Sequence, residues 1–253
     1  MHTLDHPLFL SFCLFVGLWL SMLAGVAIHR LRKLQPDEQQ DFNIILTATL
    51  TLLCLILGFS FSMAISRYDQ RKGYEEAEAN AISAEYARAE LLPAADAAEV
   101  QGLLRTYLQQ RVSFYETGDR QHLQQINSET LRIQNELWAS VKDETATQTT
   151  AAAILVVSGM NDVINSQGRA QGSWWNRIPT SAWILMTIIA ICSNLLLGFG
   201  GHNVRARPVI FLVLPFVLST AFYLIAEIDS PRNGVIHVVP ENLVSLAQSL
   251  QTR

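Results

Sequence analysis

The sequence predicts an all-α integral membrane protein, with four transmembrane helices forming two hairpins that flank a helical extramembrane insert. Three observations carry that prediction. Half of the 253 residues are hydrophobic and only 16% are charged, a more apolar balance than most soluble chains show. Four windows, Pro7–Ile28, Phe42–Ser66, Ile178–Gly201 and Pro208–Ala226, contain no Asp, Glu, Lys or Arg. Each reaches the ~20 residues that a helix rising ~1.5 Å per residue needs to cross ~30 Å of hydrocarbon. Between the second and third windows the chain turns polar, and its apolar residues recur at helical spacing.

The expected organisation is a first hairpin over residues 1–66, with helices at about 7–28 and 42–66. The insert spans 67–180, the second hairpin 181–229 (helices at about 181–201 and 208–228), and a C-terminal tail 230–253. The first window is read as an uncleaved helix. The leader "MHTLDHP" has no Lys or Arg, the apolar run exceeds a signal core, and "HRLRK" follows it directly.

Orientation is read from basic residues in short loops. Arg30, Arg32 and Lys33 lie in the first turn and Arg205 and Arg207 in the second, whereas the leader has none and the tail only Arg232 and Arg253. This places both turns in the cytoplasm, with the insert and both termini outside. Arg67, Arg71, Lys72 and Arg177, on the insert's side, count the other way.

The second helix carries the densest information. No proline interrupts "GFSFSMAISRYDQRKGYEEAEANAI", and Pro93 is the first stop, so one rod is expected to leave the bilayer with its charged side chains facing water. Gly73 is its one glycine beyond the bilayer, a place where helix costs ~1 kcal/mol against Ala. Beyond Pro93, Val100, Leu103, Leu104, Tyr107, Leu108, Val112 and Tyr115 form an apolar stripe. Gly118-Asp119 marks a turn. A third insert helix shows Leu131, Leu137, Trp138 and Val141, and a fourth, from about Thr145, shows Ile154, Val157, Met160 and Ile164. "AAAILVV" has no visible partner strand and is read as helix.

Within the second membrane helix Asn43, Thr47, Thr51, Cys54, Gly58 and Ser62 recur every three or four residues, a small or weakly polar stripe among Leu, Ile, Phe and Met. Two readings stand side by side: close helix packing, where small residues let backbones approach, or a face lining a water-filled path in an oligomer. Asp69, Glu227 and Asp229 gather near the membrane on the insert's side. Carboxylates are costly in hydrocarbon, so they are expected to pair with Arg67, Arg71 or Arg232, or to ring a pore mouth and attract cations. Trp174 and Trp175, just before the third membrane helix, are expected as interfacial anchors.

Enzyme signatures are missing: the chain has no GxSxG, HExxH or CxxC, and "GFGG" lacks the lysine and strand–helix setting of a phosphate loop. Cys13, Cys54 and Cys192 all fall in membrane windows, so no disulfide framework or zinc spacing is expected. The six histidines are scattered; His29 and His202, at the two turns, are the one pair that could approach. The net charge of −4 argues against a nucleic-acid binder, which would show a basic face. No enzyme activity, metal or cofactor is expected.

"RYDQRKGYEEAEANAISAEYARAELLP", directly after the second membrane helix, resembles the signature of the bestrophin-like family of bacterial membrane proteins. "IDSPRNGVIHVVPENLVSLAQSL", with Gly234 and Pro240, is similar to that family's extended C-terminal segment. The resemblance covers nearly the whole chain in layout and is specific in Arg67–Pro93 and Ile228–Leu246. It implies a bacterial inner-membrane protein related to bestrophins, which are pentameric anion channels lined largely by their second membrane helix. Bestrophins hold their large hydrophilic region in the cytoplasm, opposite to the charge reading above. No acidic calcium clasp is recognisable, and Phe59 and Phe61 lie on opposite helix faces rather than forming an aromatic neck. The expected function is therefore a homo-oligomeric ion channel, with the lipid bilayer, further copies and inorganic ions as partners. The alternative is a non-conducting sensor or scaffold whose insert binds a protein or an envelope component.

Overall fold

The computed structural model describes residues 7–31, 35, 37–147, 150–201, 208–232 and 236–251. Arg32, Lys33, Arg205, Arg207, His202, Gly234 and Arg253 lie outside the described residues, so of the turn charges only Arg30 is described, in the last turn of α1, and the His29–His202 pair lies outside them. Among the described residues all regular structure is helical: α1 (Pro7–Leu31), α2 (Glu38–Arg88), a 3-10 turn (Ala89–Leu91), α3 (Ala94–Glu116), α4 (Arg120–Thr147), α5 (Ala151–Ser173), α6 (Thr180–Gly200), α7 (Pro208–Asp229) and α8 (Glu241–Gln251). The chain divides into two compact units, Met1–Ser66 with Arg177–Ile236, and Arg67–Asn176 with His237–Arg253. α2 is continuous across the boundary between Ser66 and Arg67.

The first unit holds the four helices long and apolar enough to cross a membrane. Prolines mark their starts: Pro7 opens α1, Pro208 opens α7 and Pro179 caps α6, positions where the missing N–H would be unpaired anyway. Pro215 sits inside α7, as membrane helices tolerate. α1 packs against both α6 and α7. Glycines set the α1–α6 approach: a Cβ at Gly25 would overlap the Leu195 carbonyl, and one at Gly198 would overlap the Met22 carbonyl. Ser21 Oγ donates to the Ile191 carbonyl (2.8 Å) and Ser11 Oγ to the Ser219 carbonyl (3.1 Å). Close backbones and interhelical hydroxyl bonds are how helices associate where hydrophobic burial drives nothing. Outward-facing Leu8, Phe9, Phe12, Ile184, Ile188 and Phe216 are exposed, the surface a lipid-facing bundle presents. The protein is an all-α integral membrane protein.

The second unit is built around a core shared by the end of α2, α3, α4, α5 and α8. The α3 stripe packs inward as its spacing predicts, with Val100, Leu104, Tyr107, Leu108 and Tyr115 buried and Leu103 and Val112 against them. Asp119 caps α4 by accepting from the Gln121 and His122 amides (3.1 and 3.4 Å), and Thr150 Oγ1 caps α5 by accepting from the Ala153 amide.

Three expectations are corrected. α4 buries Leu137 and Val141 of the expected set together with Ile126 and Ile133, and leaves Leu131 and Trp138 outside. The fourth insert helix, expected from about Thr145, starts at Ala151, because Thr145 still belongs to α4, and its Ile154 faces out. The C-terminal segment, expected as an extended tail, ends in α8, whose Leu243 and Leu250 complete the insert's core.

Candidate functional site

The six stripe residues of α2, Asn43, Thr47, Thr51, Cys54, Gly58 and Ser62, are all exposed. The opposite face, Phe42, Leu53, Leu57, Ser60 and Ala64, is buried in the first unit. The two rows have the same helical spacing, so α2 turns one complete face inward and the other outward. Among the described residues, packing therefore does not use the small-residue stripe. A Cβ at Gly58 would meet nothing within 4 Å. Thr51 Oγ1 donates back to the Thr47 carbonyl at 2.8 Å, which satisfies its proton inside the helix and leaves its lone pairs facing out. Toward the start of α2, Gln39, Gln40, Asn43 and Thr47 line a shallow depression together with Ile44 and Ala48. Phe59, about 100° round the helix from Gly58 and so off the stripe, is 65% exposed.

The three acidic residues have different surroundings. Asp69 is exposed, whereas Glu227 and Asp229 are buried. Both Asp229 oxygens accept the Ile178 amide N–H, at 3.1 and 3.0 Å, so this carboxylate ties the end of α7 to the approach of α6. Glu227 is engaged by the Tyr223 hydroxyl one turn earlier. The tryptophans also separate. Trp174 is enclosed, edge-on to Phe114 and Tyr115 at 5.3 and 5.4 Å, and that enclosure removes it as a headgroup anchor; Trp175 is 78% exposed. Among the described residues no three His, Cys, Asp or Glu side chains converge as metal ligands would.

The charged run after the bilayer holds what sequence reasoning missed. Arg71, Glu75, Glu78 and Glu85 are buried, in a row with Ala79, Ile82 and Tyr86, instead of facing water. Glu78 takes Arg111 Nε at 2.5 Å, with the Tyr115 hydroxyl at 3.3 Å. The Arg111 guanidinium stacks 4.3 Å from the centre of Phe114, a contact that suits the weakly hydrated guanidinium. Burial, and then the Glu78 charge, raise Tyr107 and Tyr115 above their ordinary values, which keeps both as neutral phenols. Gln134 donates to the Tyr107 hydroxyl at 3.4 Å. Glu75 accepts from the Leu243 amide (2.9 Å) and the Asn242 side chain (2.7 Å), seating a carboxylate on the first turn of α8. The available signal was spacing: positions 71, 75, 78, 82 and 85 alternate four and three apart, one helical face.

Comparison with known proteins agrees with this architecture. No curated protein matches the chain. Among solved structures, a bacterial bestrophin homologue from Klebsiella pneumoniae superposes with a TM-score of 0.66 at 13% identity, covering 95% of this chain and 97% of that one. A point variant of that homologue gives 0.68 at 13% identity, again covering 95% and 97%. At such identity the likeness establishes the fold. A family profile described as a Bestrophin-like domain matches residues 9–243. By that match, over nearly its whole length, the chain belongs to the bestrophin-like family.

Proposed function

We propose that the protein is a homo-oligomeric ion channel in which α2 of each copy lies nearest the pore axis. The observation that carries this reading is the exposure of the Asn43-to-Ser62 stripe on a membrane helix whose other face is already buried in its own chain. Hydroxyl, amide and glycine surface facing lipid gains nothing, whereas around an axis it can face water and ions. Family membership supports the reading, since bestrophins are ion channels, and the pentamer is the assembly that analogy supplies. Asp69 is the exposed acidic group that could stand at a mouth, while Asp229 does structural work at the α6–α7 end.

The experiment is ion flux from liposomes holding the purified protein, compared with Gly58→Trp. Flux that the bulky side chain blocks supports the channel; leakage equal to that of empty vesicles rejects it. A detergent-solubilised mass of one or two copies would also reject an axial pore.

The competing reading is a non-conducting sensor or scaffold. It is favoured by Leu131 and Trp138, 60% and 41% exposed at one-face spacing on α4, an apolar ridge on the insert. The turn charges support an outer insert, and the habit of bestrophins supports a cytoplasmic one. In a bacterial inner membrane, alkaline phosphatase fused at Gly118 decides, because that reporter works only after export.

A further inference from the structure

We propose that Glu85 and Gly159 form a proton-operated latch, in which a neutral Glu85 carboxyl group seated on Gly159 holds α5 against α2 and its deprotonation releases α5. This goes beyond conduction and does not depend on it.

The seat is specific. Glu85 is fully buried, and a Cβ at Gly159 would overlap both its carboxyl group and the Arg88 guanidinium. The missing side chain of α5 is therefore the space that the acid occupies. Neither carboxyl oxygen has a hydrogen-bond partner among the described residues. Elsewhere in the same unit, Glu75 and Glu78 both receive short donors, so Glu85 is the acid of this row with no hydrogen bond, its one opposite charge being the Arg88 guanidinium at 3.7 Å. A buried carboxylate without donors is strongly disfavoured, while a neutral acid in the same place costs far less.

The charged groups facing it come from both packed helices. Arg88, one turn on in α2, stands 3.7 Å away, and Asp162 of α5 lies 3.8 Å from the same guanidinium. The 3-10 turn packed on α5 adds buried Ala89 and one further acid, Glu90, which is exposed to water. Arg88 is divided between two acids and is itself 36% exposed, so water screens it. Burial outweighs its attraction, and the Glu85 carboxyl is pushed up from 4.5 to about 8. When the O–H bond ionises, the proton passes to water. The carboxylate then has to reach Arg88 or solvent, and Gly159 loses the group that filled its contact.

The test uses full-length protein in lipid nanodiscs and two readouts independent of ion flux. Infrared difference spectra between about pH 6 and about pH 10 should lose a buried carboxylic-acid carbonyl band and gain a carboxylate, and Glu85→Gln should lack both changes. Hydrogen exchange of the amides of Ala151–Ser173, corrected for intrinsic rate, should lose about tenfold of its protection over that range, and Glu85→Gln should hold its protection. Gly159→Ala, which fills the seat, should lack the acid band at about pH 6 while the protein stays assembled. No Glu85-dependent band at the lower pH would overturn the proposal. So would a band that survives to the upper pH, or α5 protection that falls equally in Glu85→Gln.

Discussion

Gly25 and Gly198 are reciprocal contacts: each lies against the other helix's backbone, where a Cβ would overlap a main-chain carbonyl oxygen. Side-chain movement cannot relieve such an overlap, because the obstructing atoms are backbone. Gly25→Leu or Gly198→Leu should force α1 and α6 apart and destabilise the bundle by about 1–3 kcal/mol or more. Gly17, on the same helix with nothing within 4 Å, is the control. Thermal unfolding in detergent should show the first two variants melting earlier and Gly17→Leu melting like the parent.

The Glu78–Arg111 pair is fully buried on both sides. Removing one partner leaves the other charge without compensation, so Glu78→Leu or Arg111→Met should each cost about 3–5 kcal/mol. The double variant should recover much of that loss, since a matched apolar pair leaves no charge behind. A double-mutant cycle by chemical denaturation measures the coupling, and additive losses would refute it.

Asp229→Ala should free the Ile178 amide and loosen the start of α6. The loss of bonds to an ionised acceptor is about 1.5–3 kcal/mol. Limited proteolysis should then cut near Arg177, while Asp69→Ala leaves the cleavage pattern unchanged. Equal resistance of both variants would show that the Asp229 bond holds nothing.

Cysteine substitution reads the α2 stripe directly. In a protein whose Cys13, Cys54 and Cys192 are replaced by Ala, Thr51→Cys and Ser62→Cys should react with a water-soluble thiol reagent in the assembled state, whereas Leu53→Cys, on the buried face, should stay inert. Absence of labelling at both stripe positions in a folded assembly would remove the water-filled path.

Acid and alkaline limits follow from Glu85. Its pKa is raised from 4.5 to about 8 in the folded protein, so the native state binds more protons than the unfolded chain between those values. Stability should be greatest below about pH 4.5 as far as this group is concerned, fall as pH rises toward about 8, and level off beyond. Glu85→Gln should flatten that slope in denaturation series. An unchanged slope would show that the acid is not held neutral.

The membrane helices were legible because each is one uninterrupted charge-free window, and the penalty for charge in hydrocarbon writes that pattern into the sequence. The α3 stripe was legible for a similar reason, as one apolar face with period near 3.6. α4 was harder: Leu131 and Trp138 are as apolar as Ile126 and Ile133, and only packing decides which row turns inward. The α2 charges misled because polarity was read as exposure. Glu78 is buried by virtue of Arg111, 33 residues away, and a partner that far along the chain has no local signature. Trp174 looked interfacial by position, but the Phe114–Tyr115 pair that encloses it lies on another helix.

Because Leu243 and Leu250 belong to the core of the second unit, that unit lacks part of its own interior while the ribosome is making α6 and α7. At ~5–20 residues per second, the roughly 75 residues between the end of α5 and the end of α8 take on the order of 4–15 s to appear. During that interval the nascent insert exposes an unfilled apolar cleft to whatever attends membrane insertion, and only synthesis of the last helix closes it.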